Sequence, residues 1–402
     1  MTRISSIEQF QQGIDNILRQ QARLNQTQLE LSTGKKVNKP SDDPSAATQL
    51  LKLSTLKSNT NQYDRNIDAA RNQLELQESV LSNVGNVLQR VRELVIQANN
   101  ATQSNESRAA IADELYNRID ELLQYANTKD PDGEYIFSGY NARSPAYVKS
   151  AAGFTYQGDQ GQRFLQISED TQIAVRNNGE EIFSGALNGD GRFILETPAT
   201  NQGNALVKMS STSSAVSDDY TLRFINPAVA GDPLSYEARD SAGALISSGT
   251  YASGSAISFK GITMEVTGTP VSGDTYSINR AQKQDMFATV RAIADMLASP
   301  NDSSADFSKE TNDLSQAIAS VDEVVVHMQS QRTTIGNRLQ LLENRSEENA
   351  AVSLRLEKQI SELQDLDFAQ AVSQLNIQST ALQAAQQSYI RIQGLSLFNF
   401  LR

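Results

Sequence analysis

Cysteine and tryptophan are absent, and histidine occurs once, at His327. A chain without cysteine has no disulfide, no thiolate nucleophile and no thiolate metal ligand. With a single histidine, a metal centre would have to rest on carboxylates alone. No nucleophile, base and oxyanion site assembles from the motifs present, so no catalytic residue, cofactor or metal is expected. Apolar runs are short, and nothing approaches the roughly 18 residues of a membrane-crossing helix. The opening residues, MTRISSIEQF, lack the apolar segment of a secretory signal, so a cleaved signal peptide is not expected. Positive charge is scarce as well. With 35 Lys/Arg against 47 Asp/Glu the net charge is -12, which argues against a nucleic-acid-binding surface over most of the chain. At 402 residues the chain still has room for more than one domain.

The charge that is present is unevenly placed. Residues 1–40 carry six Lys/Arg and three Asp/Glu, and 366–402 carry two Arg and one Asp. The two ends together are therefore +4 and residues 41–365 are -16. Residues 368–390 have no charge, but eleven of these 23 are Gln, Ser, Asn or Thr, too many polar groups for lipid. A helix buried among helices fits that composition.

Apolar periodicity is the strongest signal. Phe10, Ile17, Leu24 and Leu31 fall seven apart, with Ile7 and Ile14 beginning a companion line that Gln21 and Gln28 continue. This helix is expected to close at Gly34. The connector STGKKVNKPSDDPSAA (32–47) leads into PSDDP, where Ser41 or Asp42 can cap a new helix and Pro44 suits its first turn. A long helix is expected from about 44 to 99. Its seams are Leu53, Thr60, Ile67, Leu74, Leu81, Leu88 and Val95, and Tyr63, Ala70, Gln77, Val84, Val91 and Ala98. A further helix is expected from about 107 to 126. Between 127 and 280 short alternating runs such as GFTYQG, DYTLRFI and AISFKGITMEV sit between Gly and Asp turns, the pattern of strands.

Helix returns after 282. A short amphipathic segment ends near Pro300, and then Leu314, Val321, Met328, Ile335, Leu342, Asn349, Leu356 and Leu363 run seven apart. A last seam holds Phe368, Leu375, Leu382 and Tyr389, with Ile392, Leu395, Phe398 and Leu401 beyond it. The fold class expected is α+β, mainly long α-helices. N- and C-terminal segments form an antiparallel coiled-coil bundle, and a β-rich insertion lies between them. Three parts are expected: 1–40 with 366–402, 41–185 with 282–365, and 186–281.

The remaining motifs read as structure. His327 lies beside a seam residue and is a helix-flank histidine. NGDGR (188–192) and DPDG (130–133) are turns rather than calcium loops, because neither continues to a terminal Glu at the required distance. STGKK lacks the upstream glycine of a phosphate loop. The terminal seams differ from the middle ones in being too polar to hold a lone helix pair firmly. They are expected to be assembly surfaces: Ile7, Phe10, Ile14, Ile17, Leu24 and Leu31 at one end, and Phe368, Leu375, Leu382, Tyr389, Ile392, Leu395, Phe398 and Leu401 at the other.

LSTGKKVNKPSDDPSAA (31–47) resembles the N-terminal motif of the flagellin family, and its PSDDP form is similar to the hook-associated subgroup. LVIQANNATQSNESRAAIADEL (94–115), ANTKDPDGEYIFSGY (126–140), RTTIGNRLQ (332–340) and the ending SLFNFLR carry the same resemblance over about 1–140 and 282–402. It implies a structural protein of the bacterial flagellum, forming an adaptor ring where the hook meets the filament. The implied partners are copies of itself, another hook-associated junction protein, filament flagellin and an export chaperone, with no nucleic acid and no membrane. Export unfolded through the flagellar type III apparatus to the cell exterior is implied too, with the terminal helices innermost and 186–281 outermost. Alternatives are a filament flagellin, or a coiled-stalk protein with a ligand-binding β domain.

Overall fold

The computed structural model describes residues 6–100, 102–151, 153–211, 218–227, 229, 232–300 and 303–400. Side chains are described for the same residues except 6, 7, 9, 10, 210, 211 and 392–400. Two compact units result, Met1–Arg65 with Asn344–Arg402, and Asn66–Glu343.

In chain order, α1 spans Ser6–Thr33, α2 Pro44–Ala98 and α3 Asn105–Ala126. Strands β1 (Tyr147–Ser150), β2 (Gly153–Tyr156), β3 (Phe164–Gln166) and β4 (Gln172–Ala174) follow, then α4 (Gly179–Phe183) and β5 (Ala186–Leu187). The next run is β6 (Phe193–Glu196), β7 (Leu206–Ser211), β8 (Tyr220–Ile225), β9 (Ser235–Asp240) and β10 (Leu245–Thr250). It continues with β11 (Ala256–Phe259), β12 (Ile262–Thr267), β13 (Thr275–Arg280) and β14 (Lys283–Gln284). Helices α5 (Met286–Ala298), α6 (Ser304–Gln364) and α7 (Phe368–Phe400) close the chain.

In the first unit, α1 ends where Gly34 takes φ 69° and its N–H donates to the Glu30 carbonyl at 2.8 Å. The following connector is tied to the α6–α7 turn. Lys36 N–H donates to Gln364 O at 2.7 Å, and Leu366 N–H to Gly34 O at 3.0 Å. The cap of α2 is neither Ser41 nor Asp42. Asp43 Oδ1 accepts from the N–H groups of Ser45 and Ala46, each at 3.0 Å. Asp42 turns back instead and accepts from Asn38 and Lys39 N–H at 3.1 and 2.8 Å, which holds its carboxyl below the usual range. With Pro44 as the first helical residue, only the residue before it can take the capping geometry. Two rungs join α2 to α6 here, Lys57–Glu357 at 2.8 Å and Asn349 Nδ2 to Asp64 Oδ1 at 3.0 Å.

In the second unit the α2 seam is fully buried from Ile67 to Val95, and it meets Leu314, Val321, Met328, Ile335 and Leu342 of α6 in one apolar cluster. Arg71–Glu343, Glu78–Arg332 and Arg92–Asp322 flank that seam. Numbers climbing on α2 meet numbers falling on α6, so the helices run antiparallel. α3 packs on α5. It begins two residues earlier than its apolar pattern suggests, because Ser104 accepts from Ser107 N–H at 3.1 Å and captures the first turn. The same cluster takes in Phe137, Tyr147, Phe183 and Phe287, with ring centroids 4.9 to 5.8 Å apart.

A second cluster lies wholly between Phe193 and Ile278. It is built from a five-stranded sheet, β10-β9-β8-β13-β6, and a three-stranded one, β11-β12-β7. Every pairing in them is antiparallel. β8, β12 and β13 alternate buried and less buried residues, as strands covered on one face do.

Candidate assembly surface

α1 and α7 pack against each other within the first unit. A Cβ built at Gly13 would lie 3.3 Å from the Tyr389 ring, and one at Gly34 would lie 3.6 Å from the Phe368 ring. Low numbers on α1 therefore meet high numbers on α7, and the pair is antiparallel. Ile17, Leu24 and Leu31 are half-buried on α1, as are Leu375, Leu382 and Tyr389 on α7. All six expected residues are thus half-buried on two helices that pack against each other.

The companion line is displaced by one residue from the expected one. Ile14 is 43% exposed, and Gln21 and Gln28 are exposed too. Gly13 lies beside the Tyr389 ring of α7, Gln20 is half-buried and Thr27 is buried. The physical reason lies on the partner. The Tyr389 ring lies over Gly13, where a Cβ would stand 3.3 Å from it, so this large side chain packs most closely where α1 carries none. On α7 the line that completes the seam is Ala371, Gln378 and Ala385, with Ala371 and Gln378 buried. Gln378 Oε1 is buried without a hydrogen-bond partner among the described residues.

Phe368 is 56% exposed, at the rim. The side chains of Ile7, Phe10, Ile392, Leu395 and Phe398 lie outside the described side chains, and Leu401 lies outside the described residues.

Pairing leaves large apolar residues uncovered. Leu18 is 57% exposed and Leu29 37% on α1, and Val372, Ile377 and Ile390 are 47%, 66% and 65% exposed on α7. The heptad count did not single these out, because each lies off the seven-residue lines. The signal available was that α7 carries no charge between Phe368 and Ile390, so its outer face mixes Val372, Ile377 and Ile390 with uncharged polar residues only.

In the second unit the motif residues are structural. His327 Nε2 hydrogen-bonds to the Glu181 carbonyl oxygen at 2.8 Å. Asp190 Oδ1 accepts from Arg192 and Phe193 N–H at 2.9 and 2.7 Å. Asp130 Oδ1 accepts from Asp132 and Glu134 N–H at 3.1 and 2.9 Å, while its Oδ2 accepts from Arg176 Nη2 at 2.8 Å. Asp190 thus serves its own loop backbone, and Asp130 divides its carboxylate between its loop backbone and Arg176. GEYIFSGY (133–140) has a demanding turn. Gly139 takes φ 67°, and a Cβ there would stand 2.4 Å from the Asp159 carbonyl oxygen.

The bacterial flagellin N-terminal helical region matches residues 4–142. Flagellar hook-associated protein 3 of Escherichia coli strain K12 is 26% identical over 397 residues, 98% of each chain. Its counterpart in Salmonella typhimurium strain LT2 is 33% identical over 182 residues, 45% of this chain and 57% of that one. The crystal structure of the flagellar junction protein FlgL from Legionella pneumophila superposes with a TM-score of 0.71. It is 31% identical and covers 78% of this chain and 100% of its own.

Proposed function

Because this chain belongs to the flagellin family, in its hook-associated protein 3 (FlgL) branch, and is a structural protein of the flagellar hook–filament junction, we propose that it works there as an adaptor ring. Copies stand side by side, and the α1–α7 pair supplies the contacts between them. The observation that carries this is the outer face of that pair. Leu18 and Ile377 are 57% and 66% exposed, on helices already packed together. Exposed apolar residues of this size in one small helix pair mark a surface built to be covered. The expected assembly residues Ile17, Leu24, Leu31, Leu375, Leu382 and Tyr389 hold the pair together. Ile14, Leu18, Val372, Ile377 and Ile390 face the neighbours.

On the hook side the ring meets another hook-associated junction protein, and on the far side it receives filament flagellin. An export chaperone covers the apolar end of the chain beforehand, and the subunit reaches the cell exterior through the flagellar type III apparatus. The role is mechanical, without catalysis, cofactor or metal. The match to hook-associated protein 3 runs through 98% of the chain, β region included, which favours a junction role over a filament role.

A deletion strain tests this. It makes hooks of normal length, attaches no filaments and releases flagellin into the medium, and the gene in trans restores filaments. Normal filaments on the deletion strain would end the proposal.

A further inference from the structure

In the second unit two exposed aromatic rings stand beside two arginines. Tyr140 is 68% exposed and Phe164 52%. Tyr140 is pinned in that position. Its N–H donates to Asp159 Oδ1 at 2.8 Å, and its hydroxyl donates to the Gln162 carbonyl oxygen at 2.7 Å. Its ring lies on Gly161, where any Cβ would collide with it, and Gly161 N–H donates to the same Asp159 oxygen at 2.8 Å. Phe164 opens β3 two residues after Gln162.

The arginines are Arg143 and Arg163, both exposed. The Ala142 carbonyl accepts from Tyr135 N–H at 2.8 Å, and the Arg163 carbonyl accepts from Val175 N–H at 2.9 Å, so both are set on hydrogen-bonded backbone. Glu134 feels both of them. Arg176 first, then Arg163 and Arg143, hold its carboxyl below the usual range. Yet that carboxylate is bonded to the buried Arg176 at 2.5 Å, and among the described residues neither Arg143 nor Arg163 forms an ion pair of its own. An opposite kind of surface lies on α3. Glu106, Asp113 and Asp120 are exposed and fall seven apart, on one line of the helix, and Glu106 and Asp113 form no ion pair among the described residues.

We propose that Tyr140, Phe164, Arg143 and Arg163 dock on the acidic line of α3 in a neighbouring copy, an inference that rests on the ring reading above. Charge selects the occupant. Residues 41–365 carry -16, so copies standing side by side repel unless positive groups on one meet acids on the next. Ring neighbours meet through unlike surfaces, and a basic patch facing an acidic helix is such a pair. Tyr and Arg are the side chains on which binding energy concentrates in contacts of this kind, and a tyrosine already pinned in place loses little freedom when it is covered. The two rings form the apolar centre of the contact, and the two arginines form its charged rim. Copies are then joined through the second unit as well as through the α1–α7 pair.

Photo-crosslinking in assembled flagella tests it. The full chain carries p-benzoylphenylalanine in place of Phe164, an exposed side chain. Irradiation is expected to give a species of twice the chain mass, with the crosslink mapped by mass spectrometry to α3 of the second copy. A crosslink to another protein, to another part of the copy, or no crosslink at all would overturn the proposal. A second arm uses R143E/R163E, two exposed changes that should leave the melting curve of the purified chain unchanged. Like charges then face each other across the contact, and at least about tenfold fewer filaments should survive shear than in the wild type. Wild-type retention of filaments in R143E/R163E would also overturn it. The two failures are distinguishable: if the junction role is wrong the deletion strain keeps its filaments, and if only this contact is wrong the deletion strain loses them while R143E/R163E does not.

Discussion

Arg108 and Glu310 form a buried ion pair in the second unit, with both side chains 5% exposed. The guanidinium also lies 5.4 Å from the centre of the Phe307 ring. Arg108 Nε and Glu310 Oε1 find no partner among the described residues, so the pair holds its charges at a cost. Burial pushes the Glu310 carboxyl above its ordinary range in spite of Arg108. Removing one partner of such a pair costs about 3–5 kcal/mol, and R108A should lower stability by that order in urea melts. The pH dependence has a definite sign. A carboxyl whose folded pKa is raised binds its proton more tightly when folded, so stability falls as pH rises from 4.5 through the raised value. The R108A loss should therefore be larger at pH 7 than near pH 4. Gly139 is a second residue with a clear outcome. At φ 67° and 2.4 Å from the Asp159 carbonyl, a methyl group strains the backbone and has nowhere to go. G139A should cost about 1–3 kcal/mol in thermal melts. The GEYIFSG phrase was legible as a family mark, but its reason is this close approach of two loops, which no local pattern contains.

Among the elements, the α2–α6 pairing was the most legible. Leu53, Thr60, Ile67, Leu74, Leu81, Leu88 and Val95 were expected on one seam, and all are buried. Long seams constrain strongly, because each added heptad must satisfy the same face. The α1–α7 pair was less legible, because its stripe is diluted with polar residues. Gln378 illustrates the cost. Its Oε1 is buried and unpartnered, so Q378L should stabilise the pair by about 1 kcal/mol. Limited proteolysis should then cut α7 of the free chain more slowly than in the wild type. Faster cleavage would place Gln378 in an interaction the free chain needs. The β9–β10 hairpin was not singled out in the sequence at all. SYEARD mixes charge with apolar residues and LISSGT is mostly small, so neither shows the alternation that marked β8 or β12.

For the whole molecule, the exposed face of the α1–α7 pair should matter in assembly and hardly at all in the folded chain. I14D/L18D changes exposed positions, so its melting curve should stay within about 0.5 kcal/mol of wild type, while filament attachment in cells is lost. L24D, on the half-buried seam, should loosen the helix pair itself and show as early proteolysis of both ends. Intact motility in I14D/L18D would move the assembly surface elsewhere. The charge distribution points the same way. With +4 at the ends and -16 between them, salt should change how copies associate more through the middle of the chain than through α7, whose 368–390 segment has no charge to screen.

The sequence by itself determined the long helices, the α2–α6 seam, the breaks at Gly34 and Pro44, and the strand-rich region between helical ends. Those features follow from spacing along the chain, and spacing decides which residues share a face. Only the tertiary structure decided what meets each face. Tyr389 of α7 lies against Gly13 rather than Ile14 of α1, nearly the whole length of the chain away. It took Asn312 and Gln316, more than 100 residues away in sequence, to cover the edges at Val207 and Leu195. Volume and hydrogen-bond complementarity between distant segments made those choices, and neither is written in the order of neighbouring residues.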